Sequence, residues 1–239
     1  MKSIKIGVFG GSFNPIHLGH INILDNFIKE FKLDFVILIP NKLSPFKANQ
    51  SELDNNNFKL NNKDILELLK LNTQKYNNII ILDYELNSNQ INFSIDTFEY
   101  LKANILNLIK FGESIMEDSI VDTSNIEYYY LIGDDNLIDF QLWKKWEDLL
   151  NQVSLVVGSR NNSKADIELL IKVKFQDFKQ KIFLLNNSLI KVSSTEVRKL
   201  ILDYRIDLIN LENNKINLID NLGLITYNYL INNNLINKN

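Results

Sequence analysis

Six short runs of apolar, β-branched and aromatic residues recur along the chain: "IKIGVF" (4–9), "FVILIP" (35–40), "NIIILD" (78–83), "EYYYLIG" (127–133), "VSLVVG" (153–158) and "KIFLL" (181–185). Most are nearly continuous rather than alternating, which is the pattern of strands covered on both faces. Segments with apolar residues at helical spacing separate them, at 16–31, 63–75, 94–110, 135–150, 165–180 and 194–203. In the first of these, Ile16, His20, Leu24, Phe27 and Phe31 fall three or four apart, on one helical face. This alternation predicts an α/β fold built on a parallel sheet with right-handed crossovers. The 239 residues show no repeat and no hinge-like linker, so the whole of 1–239 reads as one domain. The stretch 103–127 is longer than a crossover needs and reads as an insertion, and 218–236 reads as a closing helix.

Composition narrows the partners. Hydrophobic residues make up 45% and charged residues 23% of the chain, with a net charge of -3, an ordinary globular balance. Such a charge gives no general attraction to nucleic acid or to an anionic membrane, so any anionic ligand must be held by a local group of donors. Cysteine is absent, which excludes disulfides, thiolate metal sites and a cysteine nucleophile and fits the reducing cytoplasm. Gly10, Gly11 and Pro15 interrupt the N-terminal apolar run too early for a secretory signal, and no long apolar span follows.

Directly after the first expected strand stands "GGSFNPIHLGH", residues 10–20, which holds His17 and His20, the only two histidines. Strand, glycine-rich turn, helix is the geometry of a phosphate cradle. Gly10 and Gly11 permit unusual torsions and close approach, and Pro15 suits a first helical turn. The helix start then offers backbone N–H groups and the positive end of the dipole to an anion. Other phosphate and metal motifs fail on spacing. No Gly-Lys-Ser/Thr follows, "GVFGGSFNP" does not fit G-x-G-x-x-G, and the histidines are three apart without the glutamate of a zinc protease helix.

The stretch closely resembles the G-x-F-x-P-x-H-x-G-H signature of the nucleotidylyltransferase superfamily, matching at Gly11, Phe13, Pro15, His17, Gly19 and His20. The resemblance implies a Rossmann-like open sheet with C-terminal helical closure. It also implies that His17 and His20 stabilise a triphosphate at the reacting α-phosphate, with Gly10, Gly11, Ser12 and Phe13 lining the ATP site. Near the far end, "KVSSTEVRKLI" (191–201) offers N-cap candidates in Ser193, Ser194 and Thr195, followed by Arg198. Arg160, Arg198 and Arg205 are the only arginines, and a guanidinium fork suits a polyphosphate better than an ammonium does. This stretch resembles the superfamily's I-S-S-T-x-x-R element, which implies ATP contacts from Val192, Ser193, Ser194, Thr195 and Arg198. Val192 stands where isoleucine is usual.

The middle of the chain narrows the acceptor. "YYYLIGDDNLIDFQLWKKWEDLL" (128–150) resembles the I-G-x-D-x-L…W segment of bacterial nicotinate-nucleotide adenylyltransferases. There Gly133 and Asp135 would meet ATP at a strand end, and Trp143 would stack on the pyridine ring. Trp146 is either a second ligand-facing ring or part of a core stripe. "IPNKLSPFKAN" (39–49) resembles the family's I-P-x-x-x-P-P-H-K loop and keeps Pro45 and Lys47, with Phe46 in place of histidine. "INFSIDTFEYL" (91–101) resembles S-Y-T-I-D-T-L and "NLGLITYNYLINNNLI" (221–236) resembles the C-terminal V-x-x-Y-I helix. The resemblance implies that Lys47, Ser94, Ile95, Thr97, Trp143, Lys144 and Arg160 bind the nicotinate nucleotide.

It further implies transfer of the adenylyl group of ATP to nicotinate mononucleotide, with His17, His20, Lys47 and Arg198 as the catalytic donors. No protein metal site is expected; magnesium would arrive on the ATP phosphates. The alternatives are a pantetheine-phosphate or nicotinamide-mononucleotide adenylyltransferase, or a non-catalytic nucleotide sensor on the same fold.

Overall fold

The computed structural model describes residues 3–41, 58–88, 90–111, 125–159, 162–188, 190, 192–206 and 211–236. Six strands, β1 (Ile4–Gly11), β2 (Phe35–Pro40), β3 (Ile79–Ile81), β4 (Ile126–Gly133), β5 (Ser154–Gly158) and β6 (Ile182–Leu184), form one sheet in the order β3-β2-β1-β4-β5-β6. Every pairing is parallel, so each connection crosses a face of the sheet. All six lie where the apolar runs predict strands. β1 is central, with Val8 opposite Ile37 on one side and Tyr130 on the other. The chain order reverses on either side of β1, which places a switch point at its carboxyl end, where open α/β sheets collect ligands.

Both faces are covered. On one, Phe9, Leu38, Leu131 and Val156 pack with residues of α1 (Leu18–Phe31), α2 (Asn62–Thr73), α8 (Ser194–Ile206), α9 (Leu211–Leu222) and α10 (Leu224–Asn232). On the other, Ile6, Val8, Ile37, Tyr130 and Val157 pack with residues of α4 (Ser94–Phe111), α5 (Asp134–Ile138), α6 (Trp146–Gln152) and α7 (Lys164–Lys174). Alternate residues of one strand thus feed two cores, which explains why the runs are apolar without alternation.

Several helices depart from the sequence expectation. Helix α1 begins at Leu18, with His17 as its N-cap, so Pro15 precedes the helix instead of occupying its first turn. The chain first bends through Phe13, at a φ of 43°, and a cis Asn14–Pro15 bond. Gly10 and Gly11 end β1 and are not among the positive-φ residues; Phe13 takes the left-handed conformation instead. The single helix expected over 135–150 is α5, a 3₁₀ turn at Phe140–Leu142, and α6. It is broken where Lys145 adopts a φ of 51°. The stretch 165–180 is α7 followed by a 3₁₀ turn at Gln176–Lys181. A short helix, α3 (Tyr84–Asn87), was not expected. Residues 103–111, read as the start of an insertion, are the last turns of α4, and 112–124 lie outside the described residues.

The closing helix expected over 218–236 is two helices, α9 and α10, divided at Gly223. Gly223 has φ 78° and ψ 155°, a region essentially reserved for glycine. A Cβ there would also stand 2.9 Å from Leu18 Cδ2, at the start of α1. Gly223→Ala is therefore expected to lower stability by about 1–3 kcal/mol. Urea unfolding should show this as a lower midpoint with an unchanged slope.

Candidate active site

The switch point is built from the first signature. His17, 1% exposed, caps α1, and His20, 4% exposed, lies one turn on with its ring 3.7 Å from that of His17. The His17 backbone N–H donates to His20 Nδ1 at 3.3 Å. A ring nitrogen that accepts cannot hold a proton, so this geometry assigns the His20 proton to Nε2 and makes Nε2–H the donor. The Phe13 ring packs at 5.0 Å from His20 and 5.3 Å from Phe9. Phe13 is 1% exposed; its side chain serves as a backing for His20.

The second signature lands on the same bend. Ser193 and Glu196 form a capping box at the start of α8: the Glu196 N–H donates to Ser193 Oγ at 3.2 Å and the Ser193 N–H to Glu196 Oε2 at 2.8 Å. Ser194 Oγ donates to the Pro15 carbonyl at 3.5 Å, and Arg198 donates to the Asn14 carbonyl at 3.0 Å. A second Arg198 nitrogen donates to Thr195 Oγ1 at 3.0 Å. Residues 179 and 184 positions apart thus share hydrogen bonds. Asn14 is tied down in turn, because its Oδ1 accepts from the Leu60 N–H at 3.0 Å. Val192, buried at 5% exposure, lies against Gly19.

The other wall is α4. Its first intrahelical bond runs from Thr97 N to Phe93 O, 3.1 Å, which leaves the N–H groups of Ser94, Ile95 and Asp96 without helical acceptors. Ile95 and Thr97 are buried at 5% and 1% exposure, so they present backbone rather than side chains. Thr97 Oγ1 donates to the buried carboxyl of Glu85 at 2.7 Å. Burial pushes the Tyr130 hydroxyl up to about 12, with Glu85 adding to the rise and the Ser94 side chain opposing it. A Cβ on Gly10 would stand 3.7 Å from that hydroxyl and 3.6 Å from Asn41 Oδ1. The ends of β1 and β2 and the start of α4 therefore meet at one place. Lys144 Nζ lies 2.8 Å from Asp96 Oδ2 and 4.7 Å over the Phe93 ring, which brings the 143–144 turn beside the same helix start.

Trp143 is half-buried with its ring 5.0 Å from Phe140, whereas Trp146 packs edge-on against Phe175 and Phe178. Both rings are partly buried against the same core. Gly133 ends β4 opposite Gly158. Asp135 is exposed; its neighbour Asp134, 1% exposed, accepts from Asn162 N at 2.6 Å, Asn162 Nδ2 at 3.0 Å and Asp135 N at 3.1 Å. Asn187 clamps the end of β5, accepting from Ser159 N at 3.1 Å and donating to Ser159 O at 2.9 Å. Ser12 is exposed beside Phe13. Lys47 and Arg160 lie outside the described residues, as do Pro45 and Phe46.

Glu85, Tyr130, Asn14, Asp134 and Asn187 were not anticipated. Tyr130 reads as a strand aromatic, and nothing near "YELN" marks Glu85 as buried. Among the described residues no group of three or more His, Cys, Asp or Glu could hold a metal ion, and no helix is long and apolar enough to cross a membrane.

A fold with helix starts gathered at the switch point and this pair of signatures defines a nucleotidylyltransferase-type protein. The chain belongs to the cytidylyltransferase-like family, which matches residues 8–200. Among its relatives is a protein of Aliarcobacter butzleri named "Probable nicotinate-nucleotide adenylyltransferase", 31% identical over 220 residues, 90% of this chain and 100% of that one. A protein of the same name from Leptospira interrogans is 33% identical over 205 residues, 83% of this chain and 85% of that one. The fold is shared with the Plasmodium falciparum nicotinic acid mononucleotide adenylyltransferase solved with NaAD, at a TM-score of 0.66, 18% identity and coverage of 99% of this chain and 98% of that one.

The buried carboxyl under α4 yields a pH prediction. Burial holds Glu85 above its ordinary 4.5, partly opposed by the Thr97 hydrogen bond. The folded chain then binds this proton more tightly than the unfolded chain, so the contribution is complete below the unfolded value and is lost as pH rises through the folded one. Glu85→Gln stays neutral and can still accept from Thr97. Its stability relative to the native protein should rise between about pH 4 and about pH 8, measured by urea unfolding at both ends. A constant difference would assign the proton elsewhere.

Proposed function

We propose that the protein transfers the adenylyl group of ATP to nicotinate mononucleotide, releasing pyrophosphate and forming nicotinate adenine dinucleotide, a step of NAD biosynthesis in the cytoplasm. The observation that carries this reading is the seating of α8 on the bend before α1, through Arg198 to the Asn14 carbonyl at 3.0 Å. That bond joins the two stretches that resemble the superfamily's ATP signatures.

The attacking group is a phosphate oxygen of the mononucleotide, already ionised near neutral pH, so the reaction needs no protein base. A new oxygen–phosphorus bond forms at the α-phosphate while the bond to the bridging oxygen breaks, and pyrophosphate leaves with that electron pair. What the protein must supply is alignment and neutralisation of charge. His20 Nε2–H and His17 face the α-phosphate. The main chain of Gly10, Gly11, Ser12 and Phe13 lines the triphosphate path, with the α1 start beyond it. Arg198 and the start of α8, with Ser193, Ser194 and Thr195, hold the departing phosphates, and Lys47 supplies a cation to the phosphates of both substrates. Val192, Gly133 and Asp135 border the nucleoside. A magnesium ion carried on the ATP phosphates would supply further neutralisation of charge. The three N–H groups at Ser94, Ile95 and Asp96 suit a carboxylate, with Thr97 supporting that turn from beneath. Trp143 offers a flat face to the pyridine ring, and Lys144 and Arg160 add positive charge.

Pyrophosphate release from ATP, tested with nicotinate mononucleotide, nicotinamide mononucleotide, phosphopantetheine and no acceptor, checks the reading. The first acceptor should give the highest kcat/KM. Release only with phosphopantetheine, preference for the amide, or release with none of them would each replace it with another. In the same assay His20→Ala should lose about two to three decades in turnover while retaining cooperative unfolding. Native turnover in that variant would remove the imidazole from the mechanism.

A further inference from the structure

Gly19 lies between the two histidines, in a place where neither neighbour leaves room. A Cβ built on it would stand 2.7 Å from Val192 Cγ1 and 3.1 Å from both Nδ1 and Cε1 of the His17 ring. The backbone under it is fixed, because the His17 carbonyl accepts from His20 N at 2.9 Å and Ile21 N at 3.2 Å. Val192 is equally constrained: it is 5% exposed, its N–H donates to the Ile190 carbonyl at 2.9 Å, and its branched side chain has little rotamer freedom. Ser193, the next residue, caps α8. The bare Cα of Gly19 is therefore where the first helix turn and the lead-in to α8 touch.

We propose that Gly19 and Val192 form a positioning contact that sets the separation of the two phosphate-binding helix starts. A side chain at 19 would wedge Val192 away from α1 and press on the His17 ring, shifting Arg198 and Ser194 relative to His20. The proposal rests on the adenylyl-transfer reading, and native activity in the same assay tests that reading separately.

The test is a double-mutant cycle of Gly19→Ala, Val192→Ala and the two together, assayed for pyrophosphate release with nicotinate mononucleotide well below the thermal midpoint of each variant. Displacement of about 1 Å in such a site lowers the rate by roughly 100-fold, so Gly19→Ala should lose kcat on that order with little change in the acceptor KM. Removing the Val192 methyls opens the space again, so the double variant should regain at least about tenfold in kcat over Gly19→Ala. It should do so although Val192→Ala alone, which removes packing beside the nucleoside, should itself lower activity. A plain packing defect would show the rescue in unfolding free energy while kcat of the folded Gly19→Ala protein stayed native-like. Native-like activity in Gly19→Ala, or a double variant no faster than Gly19→Ala, would overturn the proposal.

Discussion

The carbonyl oxygens of Asn14 and Pro15 hold the site together. They point out of a tight bend between β1 and α1, and the start of α8 bonds to both, through Arg198 at 3.0 Å and Ser194 at 3.5 Å. A helix more than 170 residues downstream has many ways to pack on an α/β sheet, but few that satisfy two specific carbonyls. The bend itself is made rigid by parts that have no chemistry of their own. Phe13 is buried between Phe9 and His20, and the Asn14 side chain is held by the 58–60 segment. Arg198 is therefore oriented by the Asn14 carbonyl and the Thr195 hydroxyl, both of them neutral acceptors.

This arrangement answers how a chain with a net charge of -3 can receive a triphosphate. The attraction is local. On the proposed reading it would come from the N-termini of α1, α4 and α8, where the first N–H groups of a helix lack helical acceptors and the dipole is positive, together with a few side-chain donors. The acidic side chains nearest to these helix starts are themselves engaged. Glu196 closes a capping box, Asp96 is paired with Lys144, and Asp134 accepts three N–H groups from its surroundings.

What could be read in advance follows the same division. The strands were legible because a centrally placed parallel strand needs apolar residues on both faces, and all six runs became strands. The signatures were legible because backbone geometry and donor chemistry restrict which residues can stand there. Helix boundaries were less so: nothing in "LWKKWEDLL" announces that Lys145 takes a left-handed conformation and splits the segment. Buried polar residues were the least visible. Glu85, Asp134 and Asn187 have ordinary neighbours in sequence, and their burial depends on Thr97, Asn162 and Ser159, each 12 to 28 positions away. Gly10 and Gly11 looked like conformational requirements, yet both complete β1 and leave the positive φ to Phe13.

The two halves of the cleft must also be kept at a fixed distance, and the sheet itself serves as the ruler. β1 carries the phosphate-binding bend, and β4 is its parallel neighbour at the usual spacing of about 4.8 Å. From β4, Tyr130 places its hydroxyl beside Gly10 at the carboxyl end of β1. Glu85 and Thr97 brace that helix start from beneath. In-line attack requires the reacting atoms to meet at about 3–3.5 Å, a tolerance that mobile loops alone hold poorly. Here the bend after β1 and the neighbouring strand β4 are held one strand spacing apart by the sheet. The N–H groups at the α4 start are set in place by the buried residues behind them, Thr97 and Glu85.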